Sequence, residues 1–298
     1  MIPSKNHVLK INIQLQKNVS LLKSDFGVKA FIFGMTFIVL SSCSPKDKTQ
    51  SIDYGSQNDS ARYFMLKGYE EILDHRRWTL SEENFRKASS LDPDWLLAKS
   101  LVARNTRDLQ ERKELLNFLK QHKDQAKGNE ALLLEVNMLL VQAYNNRDQG
   151  IQDSVFTQTM LKVAESNLGE FITKYPEDDY FKAEYIEVIN AIYGPKVGLD
   201  SLNDLTSERQ KDLAFYIAYA GEMHLDLGQT EKAIELSKRL KEKRIDSTYA
   251  NYPMLKARIY FAQDSINKAK SLVDRVIELD SNNIYALRLQ HQLEEQIH

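Results

Sequence analysis

The chain of 298 residues is poor in cysteine, glycine, proline and tryptophan, with one cysteine, 11 glycines, 6 prolines and 2 tryptophans. A single cysteine excludes an internal disulfide, a two-cysteine redox motif and a cysteine-based zinc cluster. Scarce proline and glycine, together with many Leu, Ala, Glu, Lys and Gln residues, favour helices. The composition therefore favours a helical fold.

The chain also lacks an excess of basic residues, since it has 40 Lys and Arg against 42 Asp and Glu. Residues 1–42 hold five of the lysines and one aspartate, so the remaining chain carries 35 basic and 41 acidic side chains, a net charge of −6. Nucleic-acid binding requires a concentrated basic face. We therefore expect no nucleic-acid partner.

Patterns typical of enzymes and metal sites are missing as well. There is no glycine-rich phosphate loop, no His-Glu-x-x-His metal motif and no Gly-x-Ser-x-Gly elbow. Ser265 and Lys268 fit a Ser-x-x-Lys pattern, but serine is a natural cap at the start of a predicted helix. The acidic run at 176–179 lacks the ligand spacing and glycine of a calcium loop. We predict no catalytic residues, no cofactor and no metal.

A short apolar run leads directly to the single cysteine. Basic residues precede the eleven-residue run Ala30–Leu40, and two serines separate it from Cys43. This order is typical of a secretory signal, and the run is too short for a transmembrane helix, which needs about 20 residues. The alternatives are a later translation start than Met1, which would shorten a long n-region, and a buried helix that ends in an ordinary cysteine.

The segment resembles a bacterial lipoprotein signal. The resemblance implies that residues 1–42 are cleaved off and that Cys43 carries the lipid. The protein would then be lipid-anchored in the bacterial cell envelope and would contact the membrane through Cys43. Ser44 in place of aspartate favours the outer membrane, and the absence of an acidic run in residues 44–48 favours the face toward the periplasm.

A polar segment separates the cysteine from the helical part. Residues 43–60 lack periodicity, and we predict that they form the lipidated cysteine and a flexible tether. Residues 61–298 then form the helical domain. The spacing of Thr79 and Glu82 predicts a capping box near the beginning of this domain. Weak helical periodicity in residues 196–209 predicts a loop there.

Helical periodicity is clearest at the C-terminal end. The predicted elements are helix Leu213–Leu227, a helix capped by Thr230 that runs through Leu240, and helices Tyr252–Ala262, Ile266–Leu279 and Ile284–Ile297. The turns are predicted at Gly228-Gln229, Gln263–Ser265 and Asp280–Asn283.

These segments resemble tetratricopeptide repeats, which are helical hairpins of about 34 residues. The small and turn positions of two successive units are Gly221, Gly228 and Ala233, then Ala257, Asp264 and Ala269. Similar repeat endings occur at Phe85–Asp94 and Leu168–Asp178. The resemblance implies an all-α fold, a right-handed superhelix or α-solenoid of about five to six hairpins. The alternative is a generic helical bundle.

In such repeats the first helix of each hairpin lines a concave surface. The residues that map to this surface are Phe215, Glu222, Leu225, Asn251, Met254, Arg258 and Phe261. Aromatic and Met side chains flanked by Glu and Arg suit a bound peptide. The alternative is that several of these residues pack inside the stack.

These observations predict a non-enzymatic, lipid-anchored scaffold or adaptor that binds another envelope protein or a peptide segment. They predict no small-molecule ligand. The alternatives are an accessory lipoprotein of outer-membrane protein assembly and a binding lipoprotein associated with carbohydrate uptake.

Overall fold

The computed structural model describes residues 52–244 and 246–297. The predicted signal segment and Cys43 lie outside these residues. The described part of the chain is all-helical and contains no strand. Its helices are α1 (Asp59–Tyr69), α2 (Trp78–Leu91), α3 (Leu96–Asn105), α4 (Leu109–His122), α5 (Gly128–Asp148), α6 (Ser154–Lys174), α7 (Tyr180–Tyr193), α8 (Pro195–Leu205), α9 (Glu208–Lys211), α10 (Ala214–Asp226), α11 (Thr230–Glu242), α12 (Asn251–Ala262), α13 (Ile266–Leu279) and α14 (Ile284–Ile297). A π-helical turn, Glu70–Asp74, continues α1, and a 3₁₀ turn, Lys123–Gln125, follows α4.

The helices pack in neighbouring pairs, which confirms the predicted all-helical class. The pairs are α1 with α2, α3 with α4, α5 with α6, α7 with α8, α10 with α11, and α12 with α13. Successive pairs also contact each other through α3 and α5, α8 and α10, and α10 and α12. The buried apolar residues form clusters shared by adjacent pairs, as expected when each unit buries its apolar face against its neighbours.

The predicted turns between the C-terminal helices are present. Gly228 and Asp264 occupy equivalent turns, after α10 and α12, and both have left-handed backbone angles, with φ of +71° and +56°. Glycine adopts this region freely, and aspartate tolerates it better than most residues. Helices α13 and α14 have the predicted bounds.

Two local predictions are wrong. The predicted loop 196–209 is mostly the helix α8, because Pro195 is its first residue, where a missing N–H costs no hydrogen bond. The N-cap of α11 is Gln229 rather than Thr230, and its side chain makes no capping hydrogen bond.

Gly221 is needed where hairpins meet, rather than within one hairpin. A Cβ atom on Gly221 would lie 2.6 Å from Cδ2 of Leu255, which belongs to α12. The missing side chain therefore allows α10 to approach the first helix of the next hairpin.

The predicted tether is shorter than expected, because residues 52–58 pack on the helices. The ring of Tyr54 is only 4% exposed and stacks on Phe171, with ring centroids 6.0 Å apart. Its hydroxyl donates a hydrogen bond to Asp178 at 2.5 Å, and Trp95 Nε1 donates to the Tyr54 carbonyl at 2.9 Å. The ordered domain thus begins before residue 61.

The two ends of the described chain are joined by residues 70–79, which run from the end of α1 into the first turn of α2 and which we call the clasp. Asn251 Nδ2 donates hydrogen bonds to the carbonyl oxygens of Leu73 and Asp74, at 2.9 and 2.6 Å. Asn283 Nδ2 donates to the carbonyl of Arg76 at 2.7 Å. Both asparagine side chains are buried. The clasp therefore makes the first hairpin a neighbour of the last two.

The beginning of α2 is capped from the opposite end of the sequence. The carboxylate of Asp280 accepts hydrogen bonds from the backbone N–H groups of Trp78 and Thr79, at 2.5 and 3.3 Å, and from the Thr79 hydroxyl at 2.7 Å. The predicted capping box of Thr79 and Glu82 is therefore wrong, because Asp280 supplies the acceptor that these N–H groups need.

We expect Asn251→Ala to lower the free energy of unfolding by about 2–3 kcal/mol, because two part-buried carbonyl groups of the clasp lose their donor. Urea denaturation followed by circular dichroism would measure the loss. Asn84→Ala is the matched control, since the exposed Asn84 side chain donates only to the carbonyl of Leu80 in its own helix; we expect less than about 0.5 kcal/mol there. Equal effects of the two substitutions would contradict the role of the clasp.

We expect Asp74→Asn to change how stability depends on pH. Burial raises the pKa of Asp74 from 3.8 to about 7, so the folded state holds this proton more tightly than the unfolded chain. The resulting stabilisation is complete below about pH 4 and is lost as the pH rises through 7. The stability of the variant relative to the unsubstituted protein should therefore rise across this window in urea titrations. A difference that is constant with pH would contradict the expectation.

Candidate functional site

A polar chamber lies inside the stack, on the side of the clasp. It has a volume of about 190 Å³, and its walls come mainly from the first helices of successive hairpins. Its polar and aromatic lining residues are Tyr69, Trp78, Phe85, Arg104, Asn105, Tyr144, Glu184, Glu187, Tyr219, Tyr285 and Arg288. An adjoining compartment of about 280 Å³ shares Glu187, Tyr219 and Tyr285 with it. We refer to the two together as the central chamber.

One wall of the chamber carries a buried ion pair. Arg104 of α3 contacts Glu184 of α7, with Nη1 and Oε1 2.6 Å apart, and the Glu184 side chain is 7% exposed. Burial opposes the charge of Arg104, but the carboxylate of Glu184 raises its pKa well above the ordinary value. This pair joins the second hairpin to the fourth across the chamber.

The Glu187 carboxylate faces both compartments. The hydroxyl of Tyr285 donates a hydrogen bond to its Oε1 at 3.2 Å, and the hydroxyl of Tyr219 lies beside it. Burial raises the pKa of Glu187, and the neighbouring charge of Glu184 acts in the same direction. Burial, and then the charge of Glu187, raise the pKa of Tyr219 well above its ordinary value.

The second compartment contains a chain of ion pairs that starts in the clasp. Arg76, which is 3% exposed, contacts Glu222 at 2.6 Å. Arg258 lies 3.7 Å from Glu222 and 2.9 Å from Asp226. The guanidinium of Arg76 also lies over the ring of Tyr285, 4.5 Å from its centroid. Apart from Glu187, the charged side chains that line this compartment are therefore paired with one another.

The structure brings together only part of the binding surface that the sequence predicts. Glu222 and Arg258 line the second compartment. Phe215, Asn251 and Met254 are buried inside the domain and are 1%, 0% and 1% exposed. No accessible side chain is left on these three residues to bind a partner, because their hairpins are covered by α7, the clasp and α13.

The last two residues of the predicted surface, Leu225 and Phe261, also pack against other helices. Leu225 is half-buried and packs on the apolar cluster between α10 and α12. Phe261 is half-buried and packs on the cluster between α12 and α14.

The sequence analysis missed the residues that give the chamber its chemistry, Arg104, Glu184, Glu187, Tyr219 and Tyr285. One signal was available in α7, where Glu184 and Glu187 interrupt the otherwise apolar stretch 183–189 at a spacing of three residues. This spacing places two carboxylates on one face of a helix that is too apolar to lie fully in water.

A separate groove lies on the outside of the stack, over α5. It has a volume of about 620 Å³, and its apolar lining includes Met138, Leu139 and Phe156. Lys120 and Lys123 lie along the same groove. We refer to it as the α5 groove.

The described residues contain no group of three or more His, Cys, Asp or Glu side chains placed to hold a metal ion. Over the same residues, no helix combines the length and the apolar character that a membrane crossing requires.

We expect Arg104→Met to lower the free energy of unfolding by about 3–5 kcal/mol, because it leaves the carboxylate of Glu184 buried without its partner. The double variant Arg104→Met, Glu184→Met should lose clearly less free energy of unfolding, since it removes both charges and keeps side chains of similar volume. Chemical denaturation of the three proteins would test this. A double variant that is less stable than the single one would contradict it.

Comparison of the sequence with protein-family models gave no match, and comparison with curated proteins gave none either. The evidence on function therefore comes from the residues themselves.

Proposed function

We propose that the protein is a non-enzymatic, lipid-anchored repeat protein of the bacterial cell envelope, which binds another protein or a peptide segment as a scaffold or adaptor. The observation that carries this proposal is the α5 groove. It is an apolar concavity on the outer surface of a stack of hairpins, and such concavities are typical docking sites for amphipathic segments.

The side chains in and beside the α5 groove support a protein partner. Phe156 and Met138 are of the types enriched at protein interfaces. Ile151 and Val155, in the turn before α6 and its first turn, are 51% and 74% exposed. Exposed apolar residues beside an apolar groove are typical of a surface that a partner covers.

The finer architecture that we propose is a right-handed tetratricopeptide-like superhelix. The pairing of neighbouring helices, the equivalent turns at Gly228 and Asp264, and the first helices that line the chamber all support it. Such a stack supplies a large preformed surface, so little conformational entropy is lost when a partner binds.

The envelope location rests on the sequence around Cys43. A lipid on Cys43 would restrict the protein to the membrane surface, and Ser44 favours the outer membrane, facing the periplasm. The anchor would then decide which partners the α5 groove can meet.

The proposal is tested by cross-linking in bacterial cells with a photoreactive phenylalanine analogue in place of Val155. We expect a discrete adduct with an envelope protein, and no adduct when the analogue replaces the exposed Glu294 of α14. Phe156→Ala should lower the yield severalfold, because truncation of an aromatic anchor costs about 1–2 kcal/mol or more. Phe118→Ala, outside this groove, is the matched control.

Lipid anchoring through Cys43 can be tested in the same cells. Cys43→Ala should release the protein from the membrane fraction and abolish the adduct. Continued membrane association of this variant would contradict the anchor, and equal adducts from positions 155 and 294 would contradict the groove.

A further inference from the structure

Glu187 differs from the other carboxylates that line the central chamber. Arg104 is paired with Glu184, Arg76 with Glu222, and Arg258 with Asp226. Glu187 forms no ion pair with any residue in the described part of the chain, and its one hydrogen bond of good geometry comes from Tyr285.

An unpaired carboxylate inside a protein is costly, because burial removes water from the charged form. The raised pKa of Glu187 reflects this cost. An ionised carboxylate accepts about four hydrogen bonds, and the hydroxyls of Tyr285 and Tyr219 can supply only two. The geometry therefore leaves acceptor capacity on Glu187 directed into the chamber.

The walls around Glu187 are aromatic. Rings of Trp78, Tyr144 and Tyr219 line the chamber, and aromatic rings attract cations through their faces. Tyr69, which is 2% exposed, lines the same space, and its hydroxyl lies near the carboxylate of Glu184 without a hydrogen bond of good geometry to any described residue. A buried hydroxyl without a partner is uncommon unless a ligand or water completes it.

We propose that the central chamber binds a small organic molecule with a primary ammonium or guanidinium group, and that the carboxylate of Glu187 is its counter-ion. Aromatic walls would hold the apolar part of the molecule. This inference goes beyond the proposed scaffold function and does not depend on the α5 groove or on the lipid.

Size and charge both favour this class of ligand. The two compartments have volumes of about 190 and 280 Å³, and each holds several water molecules or one small organic molecule and is below the usual range for larger ligands. An anion is disfavoured, because Arg104 is already neutralised by Glu184. Arg288 lies in the wall but is exposed to solvent, so water and salt weaken its charge.

The test is isothermal titration of the purified full-length protein, in detergent, with agmatine and with 1,4-diaminobutane. The neutral control is 1,4-butanediol, which has the same length as the diamine. We expect saturable binding of at least one amine and none of the diol. Glu187→Gln should weaken binding about tenfold or more, because the ion pair is lost while the shape is kept.

Glu165→Gln is the matched control variant, since Glu165 also accepts a hydrogen bond from a tyrosine hydroxyl, that of Tyr193 at 2.9 Å, but lies outside the chamber. This variant should bind the amines with the same affinity as the unsubstituted protein. Glu187→Asp keeps the charge and should bind more tightly than Glu187→Gln, which provides a second comparison if the glutamine variant folds poorly. The proposal is overturned if neither amine saturates the protein up to roughly 10 mM, if the diol binds equally well, or if loss of the Glu187 charge leaves the affinity unchanged.

Discussion

Closure of the helical stack by the clasp is the constraint on which the other features depend. In an open array of repeats, each hairpin contacts only its neighbours along the sequence. Here the backbone carbonyls of Leu73, Asp74 and Arg76 accept hydrogen bonds from Asn251 and Asn283, which lie about two hundred residues away along the chain. The central chamber exists because of this closure, since its walls combine residues of the first hairpin with residues of the last helices.

The contacts that close the stack are hydrogen bonds, because they are made at the ends of helices. A helix terminus leaves backbone groups without partners in the helix, and the break between α1 and α2 produces two such termini side by side. Asn251 donates hydrogen bonds to the free carbonyl groups that follow α1, and Asp280 accepts hydrogen bonds from the free N–H groups at the start of α2. Since an apolar side chain could do neither, the junction requires particular polar residues at fixed positions, and an alternative packing would leave these groups buried and unpaired.

Local patterns in the sequence are sufficient for the C-terminal helices but not for the chamber. The bounds of α13 and α14 follow from apolar periodicity and from turn residues such as Asp264, which act within a few positions. Helix α8 was missed because a Gly-Pro pair usually interrupts a helix, although proline also begins one. Asn251 was interpreted as a surface residue because its acceptors, in the clasp, are remote in sequence, and no local rule indicates that the chain returns there.

Because Tyr54 packs on the helices, its docking limits how far the ordered domain could lie from a membrane anchor at Cys43. Eight residues separate Cys43 from Ile52, and a fully extended chain between these two residues spans about 30 Å. With a lipid at Cys43, Ile52 would therefore lie within about 30 Å of the bilayer surface. The anchor would then limit the height of the ordered domain above the headgroups without fixing its orientation.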